Sequence, residues 1–141
     1  MKNFKIKGVD GKDYWISRSV AVHAQIILHD IEGDSGDVFV LLIRRGPGCP
    51  DHVGKLADIT GYVDWDERLE EALIREVYEE VGLDLRKVRH QKEVSWIYDV
   101  PEGLQNITIG YRVHASLNEV RRLIETGVIN TNTESRGGEK N

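Results

Sequence analysis

Acidic side chains are concentrated in one short stretch of this 141-residue chain. Residues 61–85 carry nine Asp or Glu side chains against two Arg, a net charge of −7, whereas the whole chain carries −5. Dense acid of this kind is typical either of a solvated helix face or of a site that binds a cation. The two interpretations require different arrangements of the carboxylates, so the spacing of these residues in the sequence bears on the choice.

Three of these acids, Glu76, Glu79 and Glu80, would share one face of an α-helix. A helix turns about 100° per residue, which puts Glu79 at about 300° and Glu80 at about 40° from Glu76. Arg75 precedes Glu79 by four positions and is predicted to pair with it. The spacing predicts a helix that presents clustered carboxylates beside an apolar stripe, which comprises Leu73, Ile74, Val77 and Val81.

Two chemical interpretations of these carboxylates stay open on spacing alone. Like charges on one helix face repel each other by roughly a few tenths of a kcal/mol per pair. On a solvated face, hydration and a single Arg–Glu ion pair can offset this cost. A divalent cation would also relieve the repulsion. Mg²⁺ prefers oxygen ligands, keeps several waters, and is commonly completed by the phosphates of a substrate.

The ends of the helix have their own sequence signals. The pattern predicts a helix over 66–81, with Gly82 ending it. Asp64 or Asp66 is expected to cap the first turn, because a short acidic side chain can accept hydrogen bonds from free backbone N–H groups. Glu67 lies three residues after Asp64, the spacing of a capping box.

The elements that must position this helix are predicted from apolar, β-branched runs. The turn-forming residues at 31–36 indicate an antiparallel hairpin, and the nearly continuous apolar run at 37–44 indicates a strand buried on both faces. Residues 46–54 read as a loop, Gly61 is expected to allow a tight turn, and 117–125 reads as a short amphipathic helix. The predicted strands are 3–7, 18–29, 37–44, 88–98 and 104–114.

Composition limits the classes of function. A net charge of −5 argues against binding to duplex nucleic acid, which depends on many Lys and Arg contacts to phosphate. No apolar run is long enough for a membrane span, and no signal-peptide core follows Met1, so we expect a cytoplasmic location and no membrane partner. The length predicts a single domain over 1–141, with 130–141 a mobile end, and the lone Cys49 excludes an internal disulfide.

The region around the acidic helix resembles the Nudix box, G-x5-E-x7-R-E-U-x-E-E-x-G-U, where U is a bulky aliphatic residue. Gly61, Glu67 and the run 75–83, which reads R-E-V-Y-E-E-V-G-L, satisfy every constrained position. The chain is therefore identified as a member of the Nudix hydrolase family. Thr60 and Asp66 stand where relatives often have glycine, which implies a stiffer loop.

This resemblance implies an α/β fold, an α/β/α sandwich around a mixed β-sheet. Relatives continue into one more strand and a final helix, whereas this sequence stops at Asn141. We therefore expect either a shortened chain that lacks the final strand and helix, or another element that covers the sheet. An unpaired sheet edge would favour a homodimer.

The resemblance also implies roles for individual residues. Glu76, Glu79 and Glu80 would bind Mg²⁺ or Mn²⁺, with the carbonyl of Thr60 as a further ligand. Glu79 and Glu80 would serve catalysis, and Glu134 is the candidate general base, with Glu139 second. The residues implied to support the site are Gly61, Glu67, Arg75 and Gly82.

The activity implied by the family is hydrolysis of a diphosphate linkage in a nucleoside diphosphate joined to another moiety, with water activated by the metal. Arg44 and Arg45 are candidates for holding substrate phosphates, and Tyr98 for stacking on a base. The alternative is a Nudix module that binds a nucleotide without cleaving it. An isomerase on this fold ranks below both, because Cys49 lies in a loop before the box.

Overall fold

The computed structural model describes residues 2–31, 33, 36–49, 51–101 and 105–126. Two helices and nine strands lie within these residues, together with a short 3-10 turn at Leu85–Lys87. The helices are α1 (Leu69–Val81) and α2 (Leu117–Glu125). The strands are β1 (Phe4–Lys7), β2 (Asp13–Ile16), β3 (Val20–His29), β4 (Val38–Leu41), β5 (Ile43–Arg44), β6 (Leu56–Ala57), β7 (Ile59–Tyr62), β8 (His90–Tyr98) and β9 (Ile107–Ser116).

The principal sheet is built around β3. Its strand order is β4-β3-β9-β8, and β7 pairs with the first half of β3 while β4 pairs with the second half. β3 and β9 run parallel, whereas the other pairs in this sheet are antiparallel. The sheet is therefore mixed, and with the two helices it makes the α/β fold that the sequence predicts.

Strict alternation along β3 separates the two faces of the sheet. One face is buried against α1, α2 and apolar side chains of β9, and its β3 residues are Val22, Ala24, Ile26 and Leu28. The intervening positions carry His23, Gln25 and His29, which are only partly buried. Because the side-chain period of a strand is two, one strand thus supplies the core and lines a polar second face.

Helix α1 begins three residues later than predicted. Asp66 has a φ of 61°, which is incompatible with a helical turn, and the helix starts after Arg68. The expected cap by Asp64 or Asp66 is therefore wrong: the N–H of Arg68 donates to Glu71 Oε2 at 2.7 Å. At the other end Gly82 is the predicted stop, with a left-handed φ of 73°.

The apolar run at 37–44 does not form one strand buried on both faces. It divides into β4 and β5, and Val38, Phe39 and Val40 are 54%, 46% and 46% exposed. These side chains are exposed because β4 pairs with β3 and has no second neighbouring strand among the described residues. The predicted antiparallel hairpin of β3 with β4 is confirmed. None of the helices in the described part of the chain is long and apolar enough to cross a membrane.

Candidate functional site

The guanidinium of Arg75, in the middle of α1, contacts acidic side chains both of this helix and of the segment before it. Its Nε donates to Glu67 Oε1 at 2.6 Å, and one terminal nitrogen donates to Glu76 Oε1 at 2.7 Å and to Glu79 Oε2 at 3.2 Å. The other terminal nitrogen donates to Glu67 Oε2 at 3.1 Å and to the carbonyl of Tyr62 at 2.8 Å. The i,i+4 pair of Arg75 with Glu79 is thus present as the spacing predicts.

The charge in this group is unbalanced. Asp64 Oδ2 also lies 3.5 Å from Arg75 Nε, so four carboxylates surround one guanidinium. We call Arg75 with Asp64, Glu67, Glu76 and Glu79 the Arg75 cluster. The hydrogen bonds that Arg75 donates, first to Glu67 and then to Glu76, raise its pKa above the usual range, so the guanidinium keeps its charge. The residual negative charge of the cluster favours a bound cation.

Glu76 is almost completely buried, with 2% of its surface exposed, and Gly61 makes room for it. A Cβ atom placed on Gly61 would lie 1.9 Å from Glu76 Cδ. Gly61 sits in β7 opposite Val22, in regular strand pairing. The expected tight turn at Gly61 is therefore wrong: glycine is needed because a carboxylate packs against the strand backbone.

The donor atoms present suit Mg²⁺ or Mn²⁺, which favour carboxylate oxygens. Among the described residues, however, no three His, Cys, Asp or Glu side chains converge in a metal-binding arrangement. The carboxylates of Glu76 and Glu79 are instead turned towards Arg75. The side chain of Glu79 is 46% exposed, so a hydrated cation could reach it, whereas Glu80 is partly buried and its Oε2 is shielded from solvent.

Other predicted site residues lie outside the Arg75 cluster. Thr60 pairs with His23 between β7 and β3, one position before Gly61. Arg44 donates to the carbonyl of Gly54 at 2.8 Å, and Arg45 donates to Asp51 Oδ1 at 2.6 Å. The two arginines therefore hold the loop that follows β5 in place.

The remaining predictions concern the end of β8 and the end of the chain. Tyr98 is the last residue of β8, pairs in register with Thr108, and is 45% exposed. Glu134 and Glu139, the candidate bases, lie outside the described residues.

A second polar group, on the opposite face of the sheet, was missed by the sequence analysis. His23 Nε2 lies 3.1 Å from Asp58 Oδ2, and the His23 ring lies 4.9 Å from the Trp96 ring. Gly110 admits the indole, since a Cβ there would lie 2.1 Å from Trp96 Cε2. The polar positions that alternate with apolar ones along β3 were the available signal. They indicate a polar face of the sheet but do not reveal its partners, Asp58 just before β7 and Trp96 on β8.

The mixed sheet and the Arg75 cluster define an α/β protein whose helix α1 presents carboxylates suited to a cation. A family model described as the NUDIX domain matches residues 21–130. This match covers more than half of the chain, so the protein belongs to the NUDIX family. The residues of the box, from Gly61 to Leu83, lie inside the matched range.

Solved structures show the same fold. A MutT/nudix family protein from Enterococcus faecalis has a TM-score of 0.58 and 22% identity, over 72% of this chain and 38% of that one. The NUDIX domain of Shewanella oneidensis NrtR, solved with ADP ribose, has a TM-score of 0.52 and 19% identity, over 72% and 62%. The Caenorhabditis elegans Ap4A hydrolase has a TM-score of 0.51 and 18% identity, over 73% and 72%.

At these levels of sequence identity, the similarity to the solved structures shows a shared fold. The chain spans 38% of the length of the Enterococcus protein and 62% of the Shewanella one, so it corresponds to part of each. No curated protein matches the chain.

Proposed function

We propose that this protein hydrolyses a diphosphate linkage in a nucleoside diphosphate joined to another moiety, with Mg²⁺ or Mn²⁺ bound beside the Arg75 cluster. The observation that carries this proposal is the arrangement of four carboxylates around one guanidinium, that of Arg75 in the middle of α1. One Arg leaves several negative charges uncompensated there. A cation and the phosphates of a substrate would complete such a site.

Each residue of the box has a separate task in this proposal. Glu76, Glu79 and Glu80 would hold the metal, with the carbonyl of Thr60 as a further ligand. Arg75 fixes Glu76 and Glu79 through hydrogen bonds of 2.7 and 3.2 Å. The residues that support this arrangement are Glu67, which accepts two bonds from Arg75, Gly61, which admits Glu76, and Gly82, which ends the helix.

The chemistry fits these residue types. A bound divalent ion lowers the pKa of water and neutralises phosphate charge. Glu79 or Glu80 would take the proton of the attacking water, with Glu134 as a further candidate base. Arg44, Arg45 and Tyr98 remain our candidates for contacts to the phosphates and the base of the substrate.

A non-catalytic nucleotide-binding module is the second candidate, and one observation favours it. Within the described residues Glu76 and Glu79 already bind Arg75, and no three acids are arranged to hold a metal ion. A pocket that recognises a nucleotide without cleaving it needs no such arrangement. The Shewanella domain, which was solved with ADP ribose, makes this ligand a natural probe.

Incubation of the protein with a panel of diphosphate compounds, with and without metal, tests the proposal. The panel holds ADP-ribose, dinucleoside polyphosphates, nucleoside triphosphates, sugar nucleotides and NADH, each with Mg²⁺, with Mn²⁺ or with a chelator. We expect metal-dependent cleavage at a diphosphate, with heavy oxygen from labelled water in one product. Binding of a panel member that is unaffected by metal, with no turnover, would establish the second candidate instead.

A further inference from the structure

An open cavity of about 790 Å³ lies at the far end of the sheet from the Arg75 cluster. It opens where the parallel strands β3 and β9 end, the kind of edge where α/β sheets commonly bind ligands. His29 at the cavity lies seven positions along β3 from Val22, which pairs with Gly61, so these two points of the strand are about 23 Å apart. The polar side chains that line the cavity are His29, Arg89, His90, Gln91 and His114.

These polar side chains carry nitrogen donors, and among the described residues no carboxylate lines the cavity. That is unusual for a chain with a net charge of −5. Two acids lie beside the lining: Glu93 Oε1 is 3.8 Å from His114 Nε2, and Glu119 Oε1 accepts the backbone N–H of Arg89 at 3.2 Å. A donor-lined cavity with an arginine at its wall favours an oxyanion.

Two of the histidines act as a pair. His29 Nε2 and His114 Nδ1 lie 2.8 Å apart, so one ring donates its N–H to the other. Whichever tautomer is present, the neutral pair keeps one outer N–H, on His29 Nδ1 or on His114 Nε2. One added proton gives the pair both outer N–H groups and a positive charge. The pair therefore supplies a donor in its neutral form and a second donor when protonated.

His90 is held for a similar role. Its Nδ1 lies 3.1 Å from the carbonyl of Val88, which can only accept, so Nδ1 carries a proton. This bond fixes the ring at the cavity wall. Protonation would then convert its Nε2 from an acceptor into a donor.

We propose that this cavity binds the phosphate group of a small phosphate monoester, or free phosphate. Arg89 would hold the oxyanion through its fork of donors, and the His29–His114 pair would donate to it from the end of the sheet. This site is separate from the one proposed for hydrolysis and does not depend on that activity.

Titration of the protein with inorganic phosphate and with glycerol 3-phosphate, followed through the histidine ring resonances by NMR, tests this site. We expect the signals of His29 and His114 to move and to saturate. Tighter binding of the ester than of inorganic phosphate would identify the monoester as the ligand, and the reverse would identify free phosphate. Arg89→Gln should weaken binding at least about tenfold, whereas Arg121→Gln, an exposed control on α2, should not.

Two results would overturn the site: histidine signals that do not saturate, or equal losses of phosphate binding in Arg89→Gln and Arg121→Gln. His114→Gln provides a second variant if Arg89→Gln does not fold, and its binding should fall similarly. Because the readout is at the histidines and not in turnover, failure here leaves the proposed hydrolysis untouched.

Discussion

At the scale of single residues, the contact between Gly61 and Glu76 can be tested by adding one methyl group. In Gly61→Ala the new Cβ would overlap the Glu76 carboxylate, 1.9 Å away. We expect a loss of about 1–3 kcal/mol in the free energy of unfolding, measured by urea denaturation, because the packed carboxylate must move.

A double-mutant cycle shows whether this loss comes from Glu76. In a Glu76→Ala background the same Gly61→Ala change should cost much less, since the overlapping atoms are gone. An equal cost in both backgrounds would mean that glycine is required for the backbone of β7 and not for the space it leaves.

The Arg75 guanidinium compensates a buried charge, so its removal should be costly. In Arg75→Gln the carboxylate of Glu76, with its side chain 3% exposed, would lose its positive partner. Removing one partner of a buried ion pair typically costs about 3–5 kcal/mol, and we expect a loss of this order in thermal and urea unfolding. Arg121→Gln, at an exposed position of α2, serves as the control; similar losses in both variants would refute the role assigned to Arg75.

Single residues also show which side-chain contacts can be predicted from the sequence. Arg75 and Glu79 are four positions apart on one helix, so their pairing follows from helical geometry alone. The bond from Arg75 to Glu67 crosses from the helix to the segment before it, and no periodicity predicts it. Gly61 was predicted as a turn because a glycine needed for backbone freedom and one needed for space look identical in a sequence.

At the scale of elements, the 3-10 turn after α1 gives a pH-dependent prediction. Asp84 accepts the backbone N–H of Arg86 at 3.0 Å and its guanidinium at 2.9 and 3.0 Å. The Arg86 side chain, as the main cause, lowers the pKa of Asp84 below its ordinary value. A carboxylate with a lowered pKa stabilises the fold at pH values above its unfolded pKa, and that stabilisation is lost as pH falls through the folded pKa.

We therefore expect Asp84→Asn to be less stable than the parent chain at neutral pH. The gap in the free energy of unfolding should narrow as pH falls below about 4, near the ordinary pKa of Asp. Chemical denaturation at several pH values measures this gap. In an Arg86→Gln background the gap should shrink at all pH values, and a gap independent of pH would contradict the assignment.

Element boundaries were predicted less well than the elements themselves. Strong alternation or an apolar run in the sequence predicted the existence of four elements: β3, β8, β9 and α2. The predicted start of α1 is too early because the acidic residues Asp66 and Glu67 suit both a helix N-terminus and the preceding turn. The short strands β2, β6 and β7 have few residues and little alternation, so their pairing partners define them.

At the scale of the whole molecule, the sheet leaves apolar side chains exposed on its edge strand β8. Val94 and Ile97 are 53% and 60% exposed, and β8 pairs with β9 alone among the described strands. An open apolar edge favours pairing with another strand. We predict a homodimer that associates through β8, and sedimentation velocity over a range of concentrations measures it.

Ile97→Lys is the matched variant, since a charge on an edge strand opposes association. It should sediment as a monomer at concentrations where the parent chain is a dimer. Val38→Lys, on the opposite edge strand β4, should leave the dimer intact. A parent chain that is monomeric throughout would contradict the prediction.

The order of strands was the feature of the whole molecule least accessible to sequence. Local patterns predict one antiparallel hairpin, which exists as β3–β4, and two later strands, which pair antiparallel as β8 and β9. The parallel pairing of β3 with β9 joins residues about ninety positions apart. The resemblance to the family implied only that the sheet is mixed, and it did not say which strands run parallel. The His23–Asp58 contact and the cavity at His29 both depend on that assembly.

The most direct test of a cation site beside the Arg75 cluster is Mn²⁺ binding, measured by electron paramagnetic resonance together with hydrolysis. Glu79→Gln and Glu80→Gln should each weaken Mn²⁺ binding or lower kcat at least about 100-fold, because even partners of metal ligands contribute about 10–100-fold. Glu70→Gln, an exposed α1 acid that contacts Lys92 at 3.5 Å, should leave both within about twofold, as surface pairs contribute little. Full Mn²⁺ binding and full turnover in Glu79→Gln and Glu80→Gln would contradict the account.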